Sequence, residues 1–288
     1  MRCRLPALLS LALVAGCAGV PHPPSPTPLT QRPGLSGPLV EDQRVPDFAS
    51  RNYEPFSRQD VVAIALREWR LFGQPVDDDP PETRPPPLAS QKPERFPGLW
   101  ERVGEYWWIG QDPGEREAAW TGKHDANGVV FRAGTDGAYA WSAAFISYVM
   151  RVAGANERFP YSPNHWTYVN AAASGTSPVL RAQDPRQYAP KLGDLVCFGR
   201  GHSAGMRFTD LPSRAFWPGH CSFVTDVAPG TISVVGGNVD DAVTLTHVPV
   251  TADGMLAGPD GTVADTRYPW FVVLQVIYDA EAEPAADE

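Results

Sequence analysis

Apolar residues recur at helical spacing in three segments of the chain. The first predicted helix covers residues 57–71, where Ser57 and Asp60 form a capping box at its start. The second covers residues 99–109 and is rich in tryptophan and tyrosine. The third runs from about residue 141 to residue 153, with its large apolar side chains on one face. These three helices precede every strand that the pattern predicts.

From residue 193 onward, short segments rich in Val, Ile, Thr and aromatic residues alternate with turn residues, which is typical of strands. The predicted strands cover residues 194–198, 220–227, 231–235, 242–250 and 270–278. Helices followed by a run of strands predict an α+β fold, in which N-terminal helices pack on an antiparallel sheet.

The first residues have the features of a lipoprotein export signal. The apolar run at residues 5–14 is too short to span a membrane, which takes about 20 residues. The run Val14-Ala15-Gly16-Cys17 then matches a lipobox, in which the cysteine is acylated. We expect residues 1–16 to be removed and Cys17 to anchor the protein; the alternative is an ordinary cleaved signal. Because Ala18 rather than aspartate follows, we expect the anchor to lie in the outer membrane and the domain to face the periplasm.

Proline-rich segments divide the remaining chain. Residues 17–56 are predicted to form an extended tether that holds the folded part away from the lipid surface. Residues 57–279 are long enough to bury one sizeable core, and we expect them to form a single domain. Within that domain, residues 76–97 are predicted to be an exposed proline-rich loop. After the domain, residues 280–288 are predicted to be an acidic tail.

Charge and cysteine content narrow the possible partners. The net charge of −9 argues against nucleic acid, because binding to phosphates requires basic patches. With one cysteine lost in the signal and Cys17 acylated, only Cys197 and Cys221 remain, in a compartment that permits disulfides. We expect them to oppose each other on neighbouring strands as a disulfide; two buried free thiols are the alternative. No zinc-ligand spacing is present, so we expect neither a metal nor another cofactor.

Four short motifs follow one another in the chain: Trp141-Ser142-Ala143-Ala144-Phe145, Gly193-Asp194-Leu195-Val196, Gly219-His220-Cys221 and Gly236-Gly237-Asn238. Together they resemble the papain-like amidase superfamily that includes the CHAP domains and the NlpC-type cell-wall peptidases. Within it, residues 140–154 look most like an uncharacterised bacterial domain family. The resemblance covers about residues 57 to 278 and implies a papain-like fold that hydrolyses amide bonds.

The resemblance implies a nucleophile directly after the tryptophan, at the start of a helix. Most relatives would have cysteine there, and this chain has Ser142. A helix terminus alone does not activate a serine hydroxyl, so a base must accept its proton. The resemblance implies that the base is at the start of a strand, which is the position of His220.

Strand register suggests a third member of the site. A three-residue turn at residues 228–230 would set His220 directly opposite Asn238, whose amide oxygen would accept from Nδ1 and leave Nε2 facing Ser142. If the register slips by one residue, the Asn238 side chain lies on the other face of the sheet, and Asp240 or Asp241 would orient His220 instead. The expected catalytic residues are therefore Ser142, His220 and Asn238.

Two further residues, Trp141 and His165, are candidate substrate contacts. The chain has no Gly-x-Ser-x-Gly elbow, which argues against an α/β-hydrolase. The anchor and the resemblance together predict a cell-wall amidase or peptidase that acts on peptidoglycan or on an envelope peptide. The alternative is a catalytically inactive wall-binding or scaffold lipoprotein with the same fold.

Overall fold

The computed structural model describes residues 56–80, 83, 87–110 and 140–278. The predicted signal peptide, the predicted acylation site Cys17, the tether up to residue 55 and the acidic tail lie outside the described residues. Within the described ranges, every helix is too short or too polar to cross a lipid bilayer.

Four helices form one layer: α1 (Arg58–Leu71), α2 (Leu99–Ile109), α3 (Ser142–Val152) and α4 (His165–Ala173). The first three confirm the helices that the apolar spacing predicts, to within one residue at each end. Helix α1 begins where it does because the Ser57 side chain accepts a hydrogen bond from the backbone N–H of Asp60 at 3.1 Å. Helix α4 was not predicted, because its first turn holds residues with modest helix propensity.

Six strands form one antiparallel sheet: β1 (Leu180–Gln183), β2 (Leu195–Gly199), β3 (Gly219–Ala228), β4 (Thr231–Val239), β5 (Ala242–Pro249) and β6 (Trp270–Val276). The spatial order is β1-β6-β2-β3-β4-β5, so the last strand of the chain lies between the first two. The α+β class is therefore confirmed, and only the short edge strand β1 had no counterpart among the predicted strands.

The two faces of the sheet bury different sets of residues. Cys221 and Phe223 of β3 pack in the core that contains the helices, whereas Val224 packs in a second core with Val196 and Trp270 on the opposite face. Alternation along β3 therefore sends Cys221 toward the helices and its sequence neighbours away from them. Cys197 pairs directly with Cys221, and the two form a disulfide with a Cα–Cα distance of 4.2 Å on the helix side.

Most of the residues that the structure describes in the predicted loop at 76–97 are exposed, but the segment is held against the edge of the sheet. Val76 bridges in parallel to Leu245, and the backbone N–H of Asp77 donates to the Leu245 carbonyl at 2.9 Å. The Asp77 side chain is buried, and that of Glu94 is completely buried. This segment covers the edge strand β5, whose free N–H and C=O groups would otherwise be unpaired.

A buried carboxylate connects three of the helices. Glu68 of α1 is fully buried and accepts from Arg67 at 2.8 Å, from Arg102 of α2 at 2.8 Å and from the Tyr106 hydroxyl at 2.7 Å. The Tyr148 hydroxyl of α3 donates to the same carboxylate at 3.1 Å. Burial alone would raise the pKa of Glu68, but the Arg102 charge and these hydrogen bonds hold that pKa below its ordinary value.

We expect Glu68→Gln to lower the free energy of unfolding by about 3 kcal/mol, because the change removes the fully buried carboxylate that pairs with Arg102 and leaves only the partly exposed Glu105 as its counter-charge. Urea denaturation at pH 7 measures this loss. The matched control Glu157→Gln changes an exposed carboxylate and should stay within about 0.5 kcal/mol of wild type.

The contribution of Glu68 to the free energy of unfolding should also depend on pH. Because the pKa of Glu68 is depressed in the folded state, this contribution is present above pH 4.5 and is lost as the pH falls through the folded pKa. If the difference in the free energy of unfolding between wild type and Glu68→Gln stays the same at low pH, this account is wrong.

We also expect reduction of the disulfide to lower the free energy of unfolding by about 3 kcal/mol, because the bond closes a loop between residues 24 apart in sequence. The measurement is the urea midpoint with and without a thiol reductant. The double variant Cys197→Ala/Cys221→Ala serves as the control and should show no response to the reductant. An unchanged wild-type midpoint after verified reduction would rule out a stabilising role.

Candidate functional site

A serine and a histidine meet where two helices begin. Ser142 is the first residue of α3 and His165 is the first residue of α4. The Oγ atom of Ser142 lies 2.7 Å from Nε2 of His165. Both side chains are buried, with 4% and 5% of their surface exposed. The structure therefore provides a hydroxyl and an imidazole in direct hydrogen-bond contact.

The second ring nitrogen of this histidine is also paired. Nδ1 of His165 forms a hydrogen bond with the hydroxyl of Tyr168, one turn further along α4. Burial, followed by the proximity of His220 and Arg200, holds the pKa of His165 well below its ordinary value. Burial likewise raises the pKa of the Tyr168 phenol. Ser142, His165 and Tyr168 therefore form a chain of neutral hydrogen-bonding groups at neutral pH.

His220 is not the partner of Ser142, contrary to the expectation from the sequence. Nε2 of His220 lies 3.1 Å from Oγ of Ser222, two residues along the same strand. Alternation in β3 explains the difference: Cys221 faces the helices, so His220 and Ser222 point to the other side of the sheet. The rings of His165 and His220 remain neighbours, with centroids 5.6 Å apart.

Asn238 does not orient His220 either. Its Nδ2 donates to Oε2 of Glu94 at 3.3 Å. Asn238 has a φ of 59° at a bulge in β4, which turns its side chain out of the regular alternation. The β3–β4 hairpin departs from the predicted register only near the turn, where Ala228 pairs with Thr231; a bulge in β3 then restores the predicted pairing of Phe223 with Val235. The predicted Ser142–His220–Asn238 triad is therefore not formed.

The backbone of Gly236 occupies the space beside His220. A Cβ atom on Gly236 would lie 2.7 Å from Nε2 of His220 and would also collide with Oγ of Ser222. A side chain at position 236 would push His220 and Ser222 apart. Glycine at this position therefore leaves room for the hydrogen bond between His220 and Ser222.

Trp141 is part of the core and does not contact solvent, which overturns its predicted role as a substrate contact. Its side chain is completely buried, its ring packs on Tyr106 with centroids 5.6 Å apart, and its Nε1 donates to Oε2 of Glu94 at 2.8 Å. Burial raises the pKa of Glu94 to about 7. Asp241, an alternative orienting residue in the sequence prediction, instead forms an ion pair with Lys92 at 2.7 Å.

A cavity of about 560 Å³ lies against the strand face that bears His220 and Ser222. Asn238 and Asp240 also line it, whereas Ser142 and His165 are not among its lining residues. The described part of the chain holds no group of three or more His, Cys, Asp or Glu side chains that would bind a metal ion.

The contact between His165 and Ser142 was not predicted, because helix α4 was not recognised in the sequence. The buried positions of α4 are His165, Tyr168, Val169 and Ala172, which follow the i, i+3, i+4, i+7 spacing of an amphipathic helix. Including the histidine in that apolar pattern would have revealed both the helix and the contact between His165 and Tyr168. The sequence predicted His165 only as a candidate substrate contact.

Comparison with known proteins gives one result. Residues 94–276 match a bacterial family, and this range contains Ser142, His165 and His220. No curated protein and no solved structure matches the chain. Because the match covers more than half of the sequence, the chain belongs to the family described as an uncharacterized protein conserved in bacteria (DUF2272).

Proposed function

We propose that the protein hydrolyses an amide bond, with Ser142 as the nucleophile and His165 as the general base. The observation that carries this proposal is the 2.7 Å contact between Oγ of Ser142 and Nε2 of His165. A serine hydroxyl needs an aligned base to accept its proton, and this distance lies within the range for direct transfer. Burial keeps His165 neutral and therefore able to accept that proton.

The proposed reaction proceeds by acyl transfer. Oγ of Ser142 attacks the carbonyl carbon while its proton moves to Nε2 of His165, and the imidazolium then donates that proton to the departing amine as the C–N bond breaks. Water hydrolyses the resulting ester and restores the hydroxyl. A proton on Nδ1, donated to the oxygen of Tyr168, leaves Nε2 free to accept, so Tyr168 acts as a positioning residue. The backbone N–H of Ser142 or Ala143, in the first turn of α3, would stabilise the oxyanion.

We further propose that the substrate is peptidoglycan or an envelope peptide. The lipobox at Cys17 and the proline-rich tether support an outer-membrane lipoprotein whose domain reaches the cell wall. A papain-like fold is supported by a nucleophile at the start of a helix that packs on an antiparallel sheet. The choice of base differs from the one that the resemblance implied, since His165 replaces the strand residue His220.

A second candidate function is binding without catalysis. Only 4% of the Ser142 surface is exposed, and neither Ser142 nor His165 lines the cavity beside His220. These two observations favour a wall-binding or scaffold lipoprotein, in which the Ser142–His165 contact stabilises the junction of α3 and α4. The two functions make opposite predictions for a Ser142 variant.

We expect Ser142→Ala and His165→Gln each to lower the rate of product release from peptidoglycan by at least about 1,000-fold, because each removes one half of the nucleophile–base pair. Purified protein is incubated with peptidoglycan, and the soluble fragments are quantified by mass spectrometry. Ser174→Ala and His202→Gln change an exposed serine and an exposed histidine and should retain wild-type activity.

Three outcomes separate the candidates. Equal fragments from wild type and Ser142→Ala would remove Ser142 from the mechanism. No fragments from wild type, combined with co-sedimentation of wild type and Ser142→Ala with peptidoglycan to the same extent, would establish the binding function instead. Fragments from wild type and both controls but not from the two site variants would support hydrolysis.

The pH dependence of hydrolysis provides a separate test. The base must be neutral to accept a proton, and the pKa of His165 lies well below its ordinary value of 6.5. We therefore expect kcat/KM to stay constant as the pH falls from 8 through 6.5 and to decline only at lower pH. An acidic limb centred at pH 6.5 or above would show that a solvent-exposed histidine, rather than His165, is the base.

A further inference from the structure

A second serine and a second histidine lie side by side on strand β3. Oγ of Ser222 lies 3.1 Å from Nε2 of His220, two residues earlier in the strand. Residues two apart in a strand face the same side of the sheet, and Cys221 between them faces the helices. Ser222 and His220 therefore share the opposite face, where both line the cavity of about 560 Å³. The hydrolysis proposed for Ser142 and His165 uses neither of them.

The cavity brings a small molecule within reach of the Ser222 hydroxyl. Ser222 and His220 each have only 3% of their surface exposed, but both form part of the cavity wall. The cavity volume is within the usual range for small-molecule sites, which is about 300–1,000 Å³. Phe198, Val234 and Tyr268 add apolar surface to the same wall, against which a small acyl or aryl group can pack.

His220 has the protonation state that a general base needs. Burial, followed by the positive charge of Arg200, lowers the pKa of His220 to about 3, so its imidazole is neutral at pH 7. With its proton on Nδ1, the ring presents the lone pair of Nε2 to the Ser222 hydroxyl. A base with so low a pKa is weak, which favours attack on an ester carbonyl over the less reactive carbonyl of an amide.

Arg200 supplies a positive charge beside this pair. It lines the cavity, and its charge is close enough to His220 to lower the pKa of the imidazole. The Arg200 side chain is exposed, and it forms no ion pair or hydrogen bond with another residue in the described part of the chain. Its guanidinium group is therefore available to stabilise the oxyanion that attack by Ser222 produces.

We propose that Ser222, His220 and Arg200 form a second catalytic site, which hydrolyses a carboxylic ester with a small acyl group. Oγ of Ser222 attacks the carbonyl carbon while its proton moves to Nε2 of His220. The imidazolium then donates that proton to the departing alcohol oxygen as the C–O bond breaks. Water hydrolyses the acyl-serine, which releases the carboxylic acid and restores the hydroxyl. This activity goes beyond the amide hydrolysis proposed for Ser142 and His165.

Covalent labelling of the native protein tests whether Ser222 is a nucleophile. Full-length wild type is incubated with phenylmethylsulfonyl fluoride at neutral pH, and the labelled serines are located by mass spectrometry of its peptides. The serine oxygen displaces fluoride from sulfur, and the hydroxyl proton leaves with the fluoride. We expect Ser222 to be labelled at least about tenfold faster than the exposed Ser174, and this preference to be lost in urea-unfolded protein. No label on Ser222, or equal labelling of Ser174, would overturn the proposal.

Hydrolysis of p-nitrophenyl acetate, followed by the absorbance of the released p-nitrophenolate, tests the three roles. We expect Ser222→Ala and His220→Gln each to lower kcat/KM at least about 100-fold. Arg200→Gln should lower it about tenfold, because an exposed guanidinium stabilises an oxyanion less than an enclosed donor does. The matched control Ser233→Ala changes a buried serine of the neighbouring strand that does not line the cavity, and it should keep the wild-type rate. A wild-type rate in Ser222→Ala, or no hydrolysis by wild type, would contradict the proposal.

The two proposed sites can fail independently. If Ser142→Ala loses ester hydrolysis while Ser222→Ala keeps it, the ester activity belongs to the Ser142–His165 pair and the second site is overturned. If peptidoglycan is not cleaved, but Ser222 is labelled and is required for ester hydrolysis, the proposed amide hydrolysis fails and the second site stands.

Discussion

The position of Ser142 depends on close contact between helix α3 and backbone on two sides. A Cβ atom on Gly237 of β4 would lie 2.5 Å from Cβ of Phe145 and 2.8 Å from the Trp141 ring. On the other side, a Cβ atom on Gly110, just after α2, would lie 2.8 Å from the backbone nitrogen of Tyr148. All three distances are shorter than real Cβ contacts allow. Glycine at these two positions therefore permits the first two turns of α3 to sit between α2 and the sheet.

Gly236, the neighbour of Gly237 in β4, makes room for side chains on the opposite face of the sheet. Gly236 leaves room for His220 and Ser222, whereas Gly237 leaves room for Trp141 and Phe145. Because adjacent residues of a strand face opposite sides, this glycine pair serves two polar sites at once. One site is the Ser142–His165 contact on the helix side, and the other is the cavity that His220 lines. The two sites lie close together, since the ring centroids of His165 and His220 are 5.6 Å apart.

The sequence predicted the elements of the fold better than the contacts of the site. The Ser57 cap gave the start of α1, the apolar spacing gave α3, and strand composition gave five of the six strands. The turn between β3 and β4 holds two residues instead of three, but the bulge in β3 restores the predicted register, in which Phe223 pairs with Val235. The contacts failed for two other physical reasons. The bulge at Asn238 turns its side chain toward Glu94. Cys221 faces the helices, so alternation along β3 turns its neighbour His220 away from α3.

Burial also explains why a serine suits this position in the proposed mechanism. A cysteine nucleophile works as a thiolate beside an imidazolium, so its resting state holds two opposite charges. His165 is fully enclosed, and burial disfavours its charged form so strongly that its pKa falls well below the ordinary value. An imidazolium at this position would carry a large desolvation cost. A serine hydroxyl and a neutral imidazole avoid that cost in the resting state, because the imidazolium of the proposed mechanism exists only between the attack of Ser142 and the departure of the amine. The same enclosure that keeps His165 uncharged therefore favours Ser142 over cysteine as its partner.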